Sequence, residues 1–117
     1  MNKYQQTEKR LRSLTLGPSG ERFVEQLNAV VGSLYGGREF GLDTVAARLD
    51  ITQSQLRRNA QVFLGMPPAH YIMYLRLRES LRLFTEEPQI NMNEVSRRCG
   101  FFDHSHFTHT FLRYFGM

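Results

Sequence analysis

The chain has 117 residues, a formal charge of +4, a pI near 9.6 and 41% hydrophobic content, which suits one domain or two very small subdomains sharing a connector. No apolar run approaches the roughly 18 residues of a membrane span, and the polar start "MNKYQQTEKR" is not a secretory signal. The single Cys99 excludes an internal disulfide framework and fits a reducing, cytoplasmic setting.

Residues 1–20 are polar and basic, with Leu11, Leu14 and Leu16 as their apolar punctuation, and Gly17-Pro18-Ser19-Gly20 breaks any periodicity. This stretch is expected to be a linker or a frayed helix. From Glu21 a 3.6-residue pattern begins, with Phe23, Leu27, Val30, Val31 and Leu34 on one stripe, and Gly36-Gly37 is expected to end that helix. "GLDTVAARLD" then gives a short helix with Val45, Ala46 and Leu49 on one face. In "ITQSQLRRNAQVFLG", Thr52 and Gln55 have capping-box spacing and Gly65 is a C-terminal stop.

Pro67 and Pro68 suit the first turn of a helix, and "AHYIMYLRLRESLRLF" continues it with Tyr71, Ile72, Leu75, Leu81 and Phe84 as its buried residues. After the "TEEPQ" loop, Asn91 and Glu94 repeat the capping spacing and "EVSRRCG" is a short helix stopped by Gly100. Asp103 caps a final helix. The fold class is therefore all-α. Its parts are a lead-in helix and first helix-turn-helix over 21–66, a connecting helix over 67–86 and a second helix-turn-helix over 87–117.

The two short-helix–turn–helix stretches are copies of one unit. Val45-Ala46 answers to Val95-Ser96, and Arg48 to Arg98. Beyond the turn the offset grows by one residue: Thr52 matches Asp103, Ser54 matches Ser105, Leu56 matches Phe107 and Gly65 matches Gly116. A short helix, a tight turn and a longer helix form the anatomy of a DNA-binding helix-turn-helix. A connector from Pro68 to Thr85 would be roughly 27 Å long at 1.5 Å per residue, of the order of the roughly 34 Å repeat of B-DNA. A mismatch between the two would be met by bending the duplex.

At about 100° per residue, the first long helix buries Leu56, Ala60, Phe63 and Leu64 and turns out Ser54, Arg57, Arg58 and Gln61, with Gln55 at the edge. Gln and Arg are the side chains that read adenine and guanine edges in the major groove. Both lysines lie in the first ten residues, so later positive charge is all arginine, whose planar fork suits phosphate and guanine. The last helix buries Phe107, Phe111, Tyr114 and Phe115, and sends His106, His109 and Arg113 to the far side beside Ser105, with His104 in the first turn. These histidines do not converge on one point with Cys99, so neither a metal nor a cofactor is expected.

With these residues in place, the chain from about Phe40 to Met117 resembles the AraC/XylS family of bacterial transcription regulators. The resemblance rests on Val45-Ala46, Ser54, Leu56, Arg58, Gly65, Pro68 and Tyr71 in the first half, and on Ile90, Val95, Ser96, Gly100, Phe101, Ser105, Phe107, Phe111, Phe115 and Gly116 in the second. It implies sequence-specific binding of double-stranded DNA by two recognition helices, with first-unit contacts from Ser54, Gln55, Arg57, Arg58 and Gln61. The second unit would use Ser105, His106 and His109, joined by His104 and Arg113. The upstream "ERFVEQLNAVV" and "REFGLDTVA" look like the lead-in of output domains fused to hybrid two-component sensors, which implies an upstream sensor or receiver domain.

The sequence departs from the family at Ala60, where a large aromatic is usual, and at Gln61 and Leu112, where a basic residue is usual. The chain stops at Gly116-Met117, where the family continues into a Ser-Pro segment and a further helix, which suggests a truncated end. A histidine-lined second unit should bind more tightly as pH falls toward about 6, where histidine begins to charge. The alternative is a helical adaptor that has lost specific DNA binding and captures a partner such as RNA polymerase through the Leu112 face. An enzyme is not expected: there is no nucleophile–base pair and no convergent carboxylates, and "YGGREFG" follows a helix rather than the strand a phosphate loop needs.

Overall fold

The computed structural model describes residues 1–35 and 40–116, so the expected Gly36-Gly37 stop, the middle of "YGGREFG" and Met117 lie outside the described residues. Among the described residues all regular structure is helical, in the order α1 (Lys3–Arg12), α2 (Pro18–Leu34), α3 (Leu42–Arg48), α4 (Gln53–Leu64), α5 (Pro68–Glu86), α6 (Met92–Arg98) and α7 (His104–Phe115). None of these helices is long and apolar enough to cross a membrane.

Residues 3–12 correct the expectation of a linker or frayed helix. Asn2 caps α1 with a full capping box: its Oδ1 accepts from the Gln5 backbone N–H at 2.7 Å, and its own N–H donates to Gln5 Oε1 at 3.0 Å. Lys9, Arg10 and Arg12 fill the last turn, where positive charge complements the helix dipole. Tyr4 and Thr7, three residues apart on one edge, are buried. A capped first turn and an aromatic anchor hold the helix where leucine count alone gave no stripe.

The expected break falls at residues 14–17, and α2 starts directly after Gly17, its N-cap. Pro18 occupies the first turn of α2, where its missing N–H costs nothing. Gly20 is buried, because a Cβ there would come within 2.9 Å of Phe63. From it the buried stripe runs through Phe23, Leu27 and Val31.

The repeat extends into the backbone of the turns. Asp50 and Gly100 both take the left-handed conformation, with φ of 58° and 81°. The following amides then close the same bond: Ile51 N–H donates to Ala46 O at 3.1 Å, and Phe101 N–H to Ser96 O at 3.0 Å. The residue added in the second turn is therefore Phe102, which lies between Phe101 and the Asp103 cap and is 78% exposed. The long helices end alike, on left-handed Gly65 and Gly116.

α2, α3 and α4 pack together as one three-helix body; in the second body α7 packs against α6 on one side and α1 on another. The second body is thus discontinuous in sequence. α5 lies between the bodies, with Tyr71, Ile72, Tyr74, Leu75, Leu77 and Leu83 buried and Leu81 and Phe84 half-buried. Arg76, in the middle of α5, is only 4% exposed. Its guanidinium lies 4.4 Å from the Phe40 ring and 5.8 Å from the Phe101 ring, and its Nη2 donates to Phe40 O at 3.2 Å. One planar cation therefore joins the entry of the first unit to the turn of the second.

Candidate nucleic-acid interface

The outward face of α4 follows from where its apolar residues fall. Leu56, Ala60 and Leu64 are buried at i, i+4 and i+8, which leaves Ser54, Gln55, Arg57, Arg58 and Gln61 exposed. Thr52 starts the helix by accepting from Gln55 N–H at 3.0 Å, and Gln55 Oε1 accepts from Thr52 N–H at 2.9 Å. The carbonyl end of Gln55 is thus engaged in the cap and its amide donors remain for an outside acceptor. Arg57 leans on Gln53, with Nη2 to Oε1 at 3.5 Å.

On α7, Phe107, Thr110 and Tyr114 are buried, and His104, Ser105, His109, Leu112 and Arg113 are exposed. The Arg113 guanidinium lies 5.8 Å from the Tyr114 ring. His106 differs from expectation: it is half-buried, its ring meeting Phe101 edge-on at 5.5 Å, while its backbone N–H is held by Asp103 at 2.7 Å. Position three of a capped helix lies over the preceding turn, and here that turn presents an aromatic ring.

Counting from the caps pairs the two faces residue by residue. Ser54 corresponds to Ser105, Gln55 to His106, Arg57 to Thr108, Arg58 to His109 and Gln61 to Leu112. Beside a serine in each, the first face offers forked and amide donors; the second offers imidazoles, a threonine and an aliphatic side chain. Thr108 is a residue that helical projection missed. It is half-buried where its counterpart Arg57 is exposed, and its Oγ1 is buried with no hydrogen-bond partner among the described residues.

Among the described residues no three His, Cys, Asp or Glu side chains come together as a metal site would require. Cys99 is fully buried, and burial pushes its thiol up to about 12, well away from a ligating or nucleophilic thiolate.

The family model described as "Helix-turn-helix domain" matches residues 45–117, which runs from within α3 through α4, the connector and the second helix-turn-helix. The chain is 30% identical over 113 residues to the HTH-type transcriptional activator RhaR of Enterobacter sp. (strain 638), covering 95% of this chain and 40% of that protein. It is 28% identical over 98 residues to the Msm operon regulatory protein of Streptococcus mutans serotype c, covering 84% of this chain and 34% of that protein. The chain therefore spans well under half the length of these curated relatives.

Among solved structures, the C-terminal domain of the two-component response regulator yesN from Fusobacterium nucleatum superposes with a TM-score of 0.71 at 20% identity, over 82% of this chain and 98% of that one. The C-terminal domain of AraT, a response regulator from Geobacillus stearothermophilus, superposes with a TM-score of 0.72, also at 20% identity, over 87% of this chain and 80% of that one. These likenesses concern the fold. With its paired units and its matched profile, the chain belongs to the AraC-type helix-turn-helix family of DNA-binding transcription regulators.

Proposed function

We propose that this chain is a sequence-specific reader of double-stranded DNA in the bacterial cytoplasm, with α4 and α7 entering successive major-groove segments on one face of the duplex. The observation that carries this is the duplication itself: two capped recognition helices with matched stops, set on either side of one connecting helix. α5 is 19 residues long, roughly 28 Å at 1.5 Å per residue, which is of the order of one B-DNA turn.

On α4, Arg57 and Arg58 would meet guanine or phosphate and Gln55 and Gln61 adenine, with Ser54 at the helix entry. On α7, Ser105 and His109 would face the bases, His104 and Arg113 would flank them, and His106 would contribute from beside Phe101. A neutral imidazole donates one hydrogen bond where an arginine fork donates two or more, so the α4 half should dominate discrimination. Because relatives are more than twice as long and similar folds occur as C-terminal domains of response regulators, the chain is proposed to act as the output part of a protein with an upstream sensor or receiver.

The test is selection from a randomised duplex pool near about 150 mM salt, a level that suppresses purely electrostatic attachment. Two enriched blocks about one helical turn apart support the tandem reader. Only salt-sensitive, sequence-indifferent binding overturns it. That result would favour an adaptor that captures a partner such as RNA polymerase. Phe102 and Leu112, 78% and 43% exposed around the second recognition helix, favour that second reading.

A further inference from the structure

The two recognition helices end on equivalent glycines, and α1 touches both ends. Arg10, in its last turn, donates from Nη1 to Gly65 O at 3.0 Å, the carbonyl of the α4 cap. At its other end Asn2 lies against the α7 cap, so that a Cβ built on Gly116 would come within 3.9 Å of Asn2 Cβ. From Asn2 to Arg10 is roughly 12 Å of helix.

Between those ends α1 is fastened at four further points. The Tyr4 ring sits 4.8 Å from Phe115 of α7 and 5.0 Å from Tyr74 of α5. Lys3 Nζ lies 4.6 Å from the Tyr114 ring. Thr7 Oγ1 donates to Lys3 O and shares a 2.9 Å hydrogen bond with His70 Nε2, at the start of α5. Tyr74 O–H donates to Glu8 at 3.4 Å.

Without α1, the second recognition helix would be held mainly by α6, with ring contacts to α5 at Phe84–Phe111 and His70–Tyr114. A reader with two helices in successive grooves needs a fixed distance and angle between them, because each added base pair moves the second block by about 3.4 Å and turns it by about a tenth of a revolution.

We infer that α1 is a brace between the C-terminal ends of the two recognition helices, and that Tyr4 and Arg10 are positioning residues which set the operator spacing the protein accepts. The inference rests on the two-groove proposal for its consequence on DNA, but the brace itself can be tested without DNA. Pre-setting the geometry lowers the ordering cost of engaging both blocks together, so loosening it should cost two-block binding far more than one-block binding.

The experiment places spin labels at Val62→Cys on α4 and Leu112→Cys on α7, both exposed; Cys99 is buried and stays unlabelled. The distance between the labels is then measured by pulsed dipolar spectroscopy in the full chain. A single narrow distribution is expected for the parent and for Tyr4→Phe, which keeps the ring. Broad distributions are expected for Tyr4→Ala and Arg10→Ala. Arg10 is exposed and outside the core, so its variant decides the matter even if Tyr4→Ala unfolds the second body.

In parallel, unlabelled proteins are titrated with a selected two-block site and versions lengthened or shortened by one to three base pairs. The parent should favour one spacing by about tenfold, and Arg10→Ala should reduce that preference to about threefold or less. Unchanged distance distributions in both alanine variants would overturn the brace. Broadened distributions with a parent indifferent to spacing would uphold the brace and overturn the two-groove reading.

Discussion

Tyr4 and Phe115, at opposite ends of the chain, meet ring to ring at 4.8 Å, and Tyr4 stacks on Tyr74 at 5.0 Å in the same stroke. This joins α1 to the second helix-turn-helix rather than to the neighbouring α2. Replacing Tyr4 by alanine should cost about 3–5 kcal/mol, the range for emptying a buried aromatic site. Tyr4→Phe should cost under about 1 kcal/mol, since the ring stays. Urea denaturation of the two variants measures both. A loss below 1 kcal/mol for the alanine variant would mean that α1 is not part of the second core.

Arg76 is the buried charge of the connecting helix. Arg76→Ala removes the hydrogen bond to Phe40 O and two ring contacts at once, and should cost about 2–4 kcal/mol. Arg76→Lys should recover less than half of that, because a compact ammonium can neither lie flat on Phe40 nor donate from a planar fork. Thermal melts of the three proteins side by side decide it.

Stability should fall on mild acidification through His70. Burial pushes its pKa below the ordinary value of 6.5, helped by Lys3 and Arg10 of α1, while the Tyr114 ring of α7 packs 5.8 Å away. The folded state therefore holds the imidazole neutral where the unfolded chain would protonate it. Stability contributed by the neutral ring is complete above pH 6.5 and is lost as pH falls from there through the lower folded value. His70→Gln should flatten that part of the pH dependence, as seen in denaturation midpoints collected between neutral and acid pH.

DNA binding should weaken when single donors are removed from the two outward faces. On α7, His109→Ala should weaken binding to a selected two-block site by less than the loss of an α4 arginine, because an imidazole has fewer donors than a planar guanidinium fork. On the other helix, Arg58→Ala should cost about 1–3 kcal/mol and relax selectivity at one base position, or lower the salt slope by about one if the contact is to phosphate. Unchanged affinity and selectivity in both variants, read by titration of the selected site and its single-base variants, would show that these faces do not read DNA.

The paired turns allow a matched test of backbone strain. Gly100→Ala forces an L side chain into the left-handed region and should cost about 1–2 kcal/mol. Asp50→Gly relieves the equivalent turn and should add roughly 0.5 kcal/mol, the relief being partly offset by a looser unfolded chain. Opposite signs at the two sites, read by equilibrium unfolding, would verify that the turns are true counterparts.

How much of this was legible in the sequence differs from element to element. Leu56, Ala60 and Leu64 sit on one face because helical period alone puts them there, so the exposed set of α4 could be read directly. The duplication and its one-residue offset were equally readable, although only the matching left-handed residues, Asp50 and Gly100, identify Phe102 as the addition.

α1 was misread because its anchor is a single tyrosine and its partners are far away in sequence. The local signal was the Asn2–Gln5 capping box, which leucine counting passed over. Arg76 was invisible for a related reason: an arginine in a periodic helix reads as solvated until two rings from different units close over it. His106 projected outward correctly as an angle on a wheel, but a wheel carries no information about the Phe101 ring one turn away.

The discontinuity of the second body also constrains the order of assembly. α1 leaves the ribosome before any helix it will pack against, and α7 after all of them. α2, α3 and α4 are consecutive and can close on one another while synthesis continues. The hydrophobic side of α1, with Tyr4 at its centre, must wait through the whole of the first unit and the connector before Phe115 arrives. A long-range closure of this kind is expected to be slow relative to the local ones, and to complete the second body last.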